Sequence, residues 1–145
     1  MSDTPQHNQQ VFSEIRQLIE ETRKSVAVAV NAGLTMLYWE VGRRINEEVL
    51  NHQRAEYGKQ IIAELSEQLT EEYGKGWSEQ QLRQCMRCAE IFPDRQILYT
   101  LCIQLSWSHI RAIMFMDNPL KREFYFEVSK LEHWSFRQLK ERINS

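Results

Sequence analysis

The segment LSWSHIR at residues 105–111 brings several hydrogen-bonding side chains together in a short space. The guanidinium of Arg111 can form two hydrogen bonds with guanine, and serine hydroxyls can bind either a base or a phosphate. Side chains of these types at this spacing are typical of a surface that contacts DNA. The residues that we expect to face base edges or phosphates are Ser106, Trp107, Ser108, His109 and Arg111.

Five further cations lie on neighbouring segments and are candidates for phosphate contacts, although each would also suit a solvated helix face. Residues 79–145 carry 10 basic and 8 acidic side chains, whereas residues 1–78 carry 8 and 12. A polyanion-binding surface is therefore expected in the second half of the chain. The five cations are Arg83, Arg87, Arg95, Lys121 and Arg122.

A cysteine pair, Cys85-x-x-Cys88, raises the question of a zinc or redox site. Neither a second such pair nor a pair of histidines follows at zinc spacing, because Cys102 and His109 stand alone. The pair also lies inside a predicted helix rather than at its N-terminus, where a thiolate would be stabilised. We therefore expect small buried thiols and no metal site.

No pattern for catalysis or for a cofactor is found. The chain lacks a phosphate-binding loop, a dinucleotide-binding glycine pattern and a nucleophile elbow. We predict no catalytic residue, no cofactor and no enzymatic activity in this chain.

The elements that position these side chains are predicted to be helices. Only 5 glycines and 3 prolines occur among the 145 residues, which disfavours a strand-rich fold with many turns. Apolar residues at steps of three and four run from Ile15 to Val49 and predict one long helix, with a bend at Asn31-Ala32-Gly33. The alternating segment VAVAV (26–30) leaves a strand as the second reading.

A turn over residues 51–59 and a second helix from about Tyr57 to Tyr73 complete an antiparallel helical hairpin. Five shorter helices follow. The predicted division is a disordered tail at 1–9, the hairpin at 10–75 and a lobe of short helices at 76–145. The short helices are expected over 79–91, 95–104, 107–116, 120–131 and from Ser135 onward.

Residues 95–116 have the layout of a helix-turn-helix unit, in which a tight connection joins two short helices. In such a unit the first turn of the second helix enters the major groove of DNA. A plain corner between two helices would give the same pattern, so the layout alone leaves both readings open.

Three Trp-Ser pairs occur in the chain, and two of them are best explained as helix starts. Ser78 and Ser135 are predicted N-caps, each with a glutamine three residues later that completes a capping box. In the middle pair the better cap is Ser106, which places Trp107, Ser108 and His109 in the first helical turn. Helix capping does not require these three residue types, so we predict a binding role for them.

The chain shows no sign of export or membrane insertion. Its polar N-terminus is unlike a signal peptide, and its most apolar segment (26–39) is too short to span a bilayer. Three cysteines, an odd number, suit a reducing compartment. We expect a soluble cytoplasmic protein.

Five segments, in the same order, resemble the N-terminal domain of the YhcG-like family: LYWEVGRRI, AEYGKQII, GWSEQQLRQ, QLSWSHIRAI and NPLKREFYFEVSKLEHWSFRQLKERI. QLSWSHIR is also similar to the helix-turn-helix of ParB-like proteins. The resemblance implies a DNA-binding module that precedes a C-terminal PD-(D/E)xK nuclease domain. We expect no such domain within these residues, since their only Pro-Asp, Pro93-Asp94, has no Asp/Glu-x-Lys after it.

Two functions are therefore expected. The first is DNA binding that targets an associated nuclease domain. The second is assembly, because the long helix carries more apolar surface than a chain of this size is expected to cover, and this predicts a homo-oligomer formed through the long helices.

Overall fold

Seven α-helices joined by short connections form the part of the chain that the structure describes. A computed structural model gives the backbone of residues 4–52 and 55–145 and the side chains of residues 9–52 and 56–145. These residues contain no strand, which confirms the all-α prediction. The helices are α1 (Thr4–His52), α2 (Ala55–Tyr73), α3 (Glu79–Ile91), α4 (Arg95–Cys102), α5 (Trp107–Met114), α6 (Pro119–Leu131) and α7 (Phe136–Asn144).

The helix α1 has 49 residues and two halves with different surroundings. Every side chain from residue 9 to residue 31 is exposed, and we call this half the α1 arm. From Ala32 onward, buried side chains recur along the helix. None of the described helices combines the length and the apolar character that a membrane span requires.

The helix α2 packs against the last turns of α1. Ile45 of α1, Ile62 of α2 and Leu82 of α3 form one buried cluster. Near the connection, the ring of His52 stacks on that of Tyr57, with ring centroids 3.9 Å apart. These contacts confirm the antiparallel hairpin, in which the 19 residues of α2 cover only one end of α1.

The helices α1 and α3 are in close backbone contact at Gly42. A methyl group at this position would overlap the backbone carbonyl of Cys85. Two side chains of α1 also bond to backbone carbonyls: Trp39 Nε1 donates to Phe92 (2.7 Å) and Asn46 Nδ2 donates to Met86 (2.9 Å). Glycine disfavours a helix interior by about 1 kcal/mol relative to alanine, so the close approach explains its presence there.

The larger core lies among the short helices and includes part of α1. Ile110 and Ile113 of α5 have no exposed surface, and Ala32, Met36 and Trp39 of α1 belong to the same cluster. The helix α1 therefore supplies side chains to the cores of both predicted parts, the hairpin (10–75) and the lobe (76–145), and the division between these parts stays a prediction.

Three further expectations about the first 59 residues are corrected. Residues 4–9, expected in a disordered tail, belong to α1, while residues 1–3 lie outside the described part. The helix is uninterrupted at 26–33, where a strand was the second reading and a bend was expected. The turn expected over 51–59 is shorter, because helices occupy residues 51–52 and 55–59; residues 53–54 lie outside the described part.

Candidate nucleic-acid interface

The helices α4 and α5 have the two-helix layout expected over 95–116, with residues 103–106 as the connection. Leu98 and Leu101 of α4 are buried against Ile110 and Ile113 of α5. However, no side chain of α5 is fully exposed, and the first large exposed side chain is Phe115, directly after the helix. A recognition helix presents its first turn to the groove, so the enclosed position of α5 differs from the predicted one.

Ser106 and His109 form the capping box of α5. The backbone N–H of Ser106 donates to His109 Nδ1 (3.3 Å), and the Ser106 hydroxyl accepts from the backbone N–H of His109 (3.4 Å). His109 Nε2 lies 2.8 Å from the backbone carbonyl of Trp134. His109 is buried, and both of its ring nitrogens are engaged within the protein. His109 therefore caps α5 and holds the residues before α7, and its contact with DNA stays a prediction.

Trp107 belongs to an aromatic row rather than to the open surface. The ring of Tyr38 on α1 lies between Trp107, at a centroid distance of 4.7 Å, and Trp77, at 5.8 Å. The Nε1 of Trp107 is buried and has no hydrogen-bond partner among the described residues. Packing against Tyr38 covers part of the Trp107 ring, and the expectation of a Trp107 contact with DNA stays a prediction. Ser108 is half-buried.

Arg111 lines a polar cleft between the start of α3 and the end of α5. The cleft has a volume of about 430 Å³. Among the described residues, no carboxylate lies within ion-pairing distance of the half-buried Arg111. We call this site the glutamine–arginine cleft; its walls are formed by Ser78, Gln80, Gln81, Gln84, Arg111 and Phe115.

The cleft adjoins the hydroxyl of Tyr38. Burial raises the pKa of Tyr38 above its usual value, and the charge of Arg111 and a hydrogen bond with Gln81 act in the opposite direction. The lining of the cleft therefore contains one cation and three amides, and it contains no acidic side chain. Such a site suits a ligand that is anionic or rich in hydrogen-bonding edges.

Four of the five other predicted cations have partners within the protein. Arg87 and Arg122 donate to backbone carbonyls at the end of α5, with Arg122 Nη1 lying 2.6 Å from the oxygen of Met116. Both therefore stabilise the C-terminal end of a helix dipole. Arg83 pairs with Glu79 on its own helix, and Arg95 pairs with Glu40 on α1. Lys121 is exposed.

Sequence reasoning missed the glutamines of the cleft. Gln80, Gln81 and Gln84 are spaced so that a helix brings them near one face, and the fold turns that face towards Arg111. All three glutamines lie in the segment GWSEQQLRQ, which the sequence analysis interprets only as a helix start. That part of the interpretation holds, because Ser78 is the N-cap of α3 and Ser135 forms a full capping box with Gln138. At Ser78 only the serine half of the expected box is formed.

The three cysteines are buried, as predicted, and each is a free thiol. Burial raises the pKa of Cys85 to about 12 and that of Cys102 to about 11. Burial also raises the pKa of Cys88. Within residues 4–52 and 55–145, no group of three or more His, Cys, Asp or Glu residues could hold a metal ion.

Comparisons with known proteins place these features in a family context. The family model described as DUF1016 N-terminal domain matches residues 14–145. The chain is also similar to an Escherichia coli K12 protein named "Putative nuclease YhcG", with 30% identity over 165 residues. That alignment covers 93% of this chain but only 44% of the relative. No solved structure matches the chain.

Proposed function

Because the chain belongs to the DUF1016 N-terminal domain family, we propose that it is a non-catalytic DNA-binding module that targets an associated nuclease domain. The proposal takes its nuclease association from the name of the E. coli relative. The chain spans less than half the length of that relative, which leaves room there for a further domain.

The observation that carries DNA binding is Arg111 in the glutamine–arginine cleft. The side chain lies beside three glutamines and has no carboxylate partner among the described residues. Arginine pairs with guanine and glutamine with adenine, in each case through two hydrogen bonds. We propose this cleft as the contact surface, with Ser108 and Lys121 as further contacts.

Binding of the chain to duplex DNA, followed by fluorescence anisotropy over a salt series, tests the proposal. Phosphate contacts make affinity fall steeply as salt rises, with a slope of about −0.9 per phosphate contact. We expect Arg111→Ala to lower affinity by about 5-fold to 150-fold, as the loss of a bidentate contact worth about 1–3 kcal/mol implies.

The matched control is Arg137→Ala. Arg137 lies on α7 and is 90% exposed, so this change removes the same charge away from the cleft. If the attraction to DNA were purely electrostatic, the two variants would lose the same amount of DNA affinity. Equal losses, or no binding at low salt, would refute the cleft as a DNA site.

A second candidate function, assembly of several copies, is favoured by the α1 arm. The arm is exposed throughout, although many of its side chains are apolar. Phe12, Leu18 and Val26 each expose more than half of their surface (69%, 63% and 56%). A large contiguous apolar patch on a surface marks an interaction site. We propose that the chain forms a homo-oligomer through α1, which is compatible with DNA binding.

A further inference from the structure

The side chains that line the glutamine–arginine cleft differ in how deeply they are buried. Gln84 is only 9% exposed, Gln81 and Arg111 are half-buried, and Gln80 and Phe115 are exposed. Hydrogen-bonding groups therefore extend from the surface into the interior. The volume of about 430 Å³ also lies within the range of about 300–1,000 Å³ that is usual for sites of small ligands. The cleft is large enough to receive one nucleobase.

Two of the lining side chains have no partner within the part of the chain that the structure describes. Neither the amide of Gln84 nor the guanidinium of Arg111 forms a hydrogen bond or an ion pair with another described residue. The amide of Gln84 is also not among the fully enclosed polar atoms, so it is reached from the cleft. Buried polar groups are nearly always hydrogen-bonded. An unpaired glutamine that is nine-tenths buried and lines a cleft therefore indicates a ligand that pairs with it there.

The concave shape of this site does not suit the major groove of paired DNA. A helix that reads the groove protrudes and inserts its first turn, whereas no side chain of α5 is fully exposed. A base that remains in the stack of a duplex cannot enter a cleft, because its neighbours occupy the space above and below it. A base that has left the stack can enter one, and proteins bind such bases by their Watson–Crick edges and by aromatic stacking.

Phe115 supplies an aromatic ring at the rim of the cleft. It directly follows α5 and is 62% exposed, although it is a large apolar side chain. Aromatic rings beside cationic side chains are the means by which proteins hold single-stranded nucleic acid, because every base has a face that can stack. The position of Phe115 beside Arg111 therefore favours an unstacked base as the ligand.

We propose that the glutamine–arginine cleft receives one unpaired guanine of a DNA strand. The base stacks on Phe115, and Arg111 and Gln84 form hydrogen bonds with its edges. This proposal rests on the DNA-binding function above and specifies the form of DNA that the cleft recognises.

The hydrogen-bonding groups of the lining select guanine. The guanidinium of Arg111 only donates, and guanine offers it two adjacent acceptors, O6 and N7. The oxygens of the glutamine amides accept, and guanine offers them its N1–H and N2–H groups. Those groups bond to cytosine in a duplex and become available when the guanine is unpaired. Adenine and thymine lack two adjacent acceptors, and cytosine has only one donor group.

Fluorescence anisotropy of the 145-residue chain tests the choice of base. It compares a fully paired duplex with duplexes that differ from it only by one bulged nucleotide. We expect a bulged guanine to bind at least about 5-fold more tightly than a bulged adenine, cytosine or thymine, as two hydrogen bonds to one base imply. The other three bulged duplexes control for the bend that a bulge introduces. Equal affinities for the four bulged duplexes, or no gain over the paired duplex, would overturn the proposal.

Two substitutions test the contacts. Gln84→Met removes the amide but nearly keeps the length and volume of the side chain, and it should reduce the preference for the bulged guanine by about 5-fold or more. Phe115→Leu should weaken binding of the bulged guanine and the bulged thymine alike, each by about 5-fold or more, because stacking tolerates any base.

The matched control for Phe115→Leu is Phe124→Leu. Phe124 lies on α6, is 57% exposed and is not part of the cleft, so this change should leave both affinities unaltered. Phe115 is itself exposed, so its variant tests stacking independently of any effect of Gln84→Met on folding. An unchanged preference in a folded Gln84→Met chain, or equal effects of the two phenylalanine changes, would overturn the proposal.

The same measurements separate this proposal from the function on which it rests. Binding of the paired duplex that Arg111→Ala weakens, without any gain from a bulged guanine, supports DNA binding at the cleft and overturns the unpaired base as its ligand. No binding of any of these duplexes at low salt would refute the DNA-binding function itself.

Discussion

Gly42 of α1 lies directly against the backbone carbonyl of Cys85 on α3, with no space for a β-carbon between them. This contact sets how closely the long helix approaches the short ones. The neighbouring hydrogen bonds, from Trp39 to the carbonyl of Phe92 and from Asn46 to the carbonyl of Met86, depend on the same spacing.

The first prediction concerns this contact. Gly42→Ala should destabilise the chain by about 1–3 kcal/mol, because overpacking outweighs the gain in helix propensity. Gly33→Ala is the control, since nothing lies within 4 Å of a β-carbon there, and it should stabilise the chain by about 1 kcal/mol. Urea denaturation followed by circular dichroism measures both. Two changes of the same sign would contradict the close contact.

The second prediction concerns the capping role of His109. His109→Ala should lower the free energy of unfolding by about 1–3 kcal/mol, because it removes the capping box and leaves the Trp134 carbonyl without a partner. Ser108→Ala, one residue away and half-buried, should change it by less than about 0.5 kcal/mol. Thermal denaturation compares the two. A stable His109→Ala chain with weakened DNA binding would instead assign His109 to the interface.

The third prediction separates structural from functional arginines. Arg87→Ala removes charge-assisted hydrogen bonds to the end of α5 and should destabilise the chain by about 1.5–3 kcal/mol. Arg83→Ala removes an exposed ion pair and should cost at most about 1 kcal/mol. Neither should lower DNA affinity as far as Arg111→Ala does when measured under conditions where all variants are folded. A larger loss of DNA affinity for Arg87→Ala than for Arg111→Ala would place the binding surface at Arg87 and not at the cleft.

The fourth prediction concerns the thiols. Burial raises the pKa of Cys85 and Cys102 from 9.0 to about 12 and about 11, so the folded state keeps their protons where the unfolded state has lost them. Stability from these thiols is therefore fully present below about pH 9 and is lost as the pH rises towards 11 and 12. At about pH 8 a thiol reagent should react at least about 100-fold more slowly with the folded chain than with the unfolded one. Rapid reaction of the folded chain would refute their burial.

Several local features could be predicted from the sequence because they depend on neighbours within one or two helical turns. The serine caps at Ser78, Ser106 and Ser135 are examples, since each accepts the N–H of a residue three positions later. The antiparallel hairpin also followed from two amphipathic segments and a short connection. Predictions of binding residues were weaker, because exposure is not a local property.

Trp107 and His109 show this limit clearly. Their types and spacing suited DNA contact, but α1 and α7 cover that side of α5 and engage both side chains. The glutamine–arginine cleft shows the reverse case. Arg111 and Gln84 are far apart in the sequence, and only the packing of α3 against α5 brings them together.

The helical class, the helix starts and the apolar repeat of α1 could be predicted from the residues alone, because hydrogen-bonding and side-chain periodicity operate over a few residues. The place where that repeat becomes buried could not, since it is set by the packing of the other helices. Up to residue 31 it faces solvent, and from Ala32 it faces the other helices, although its spacing continues across the boundary. Burial depends on which other elements reach a given face of the helix, and residues distant in sequence supply those elements.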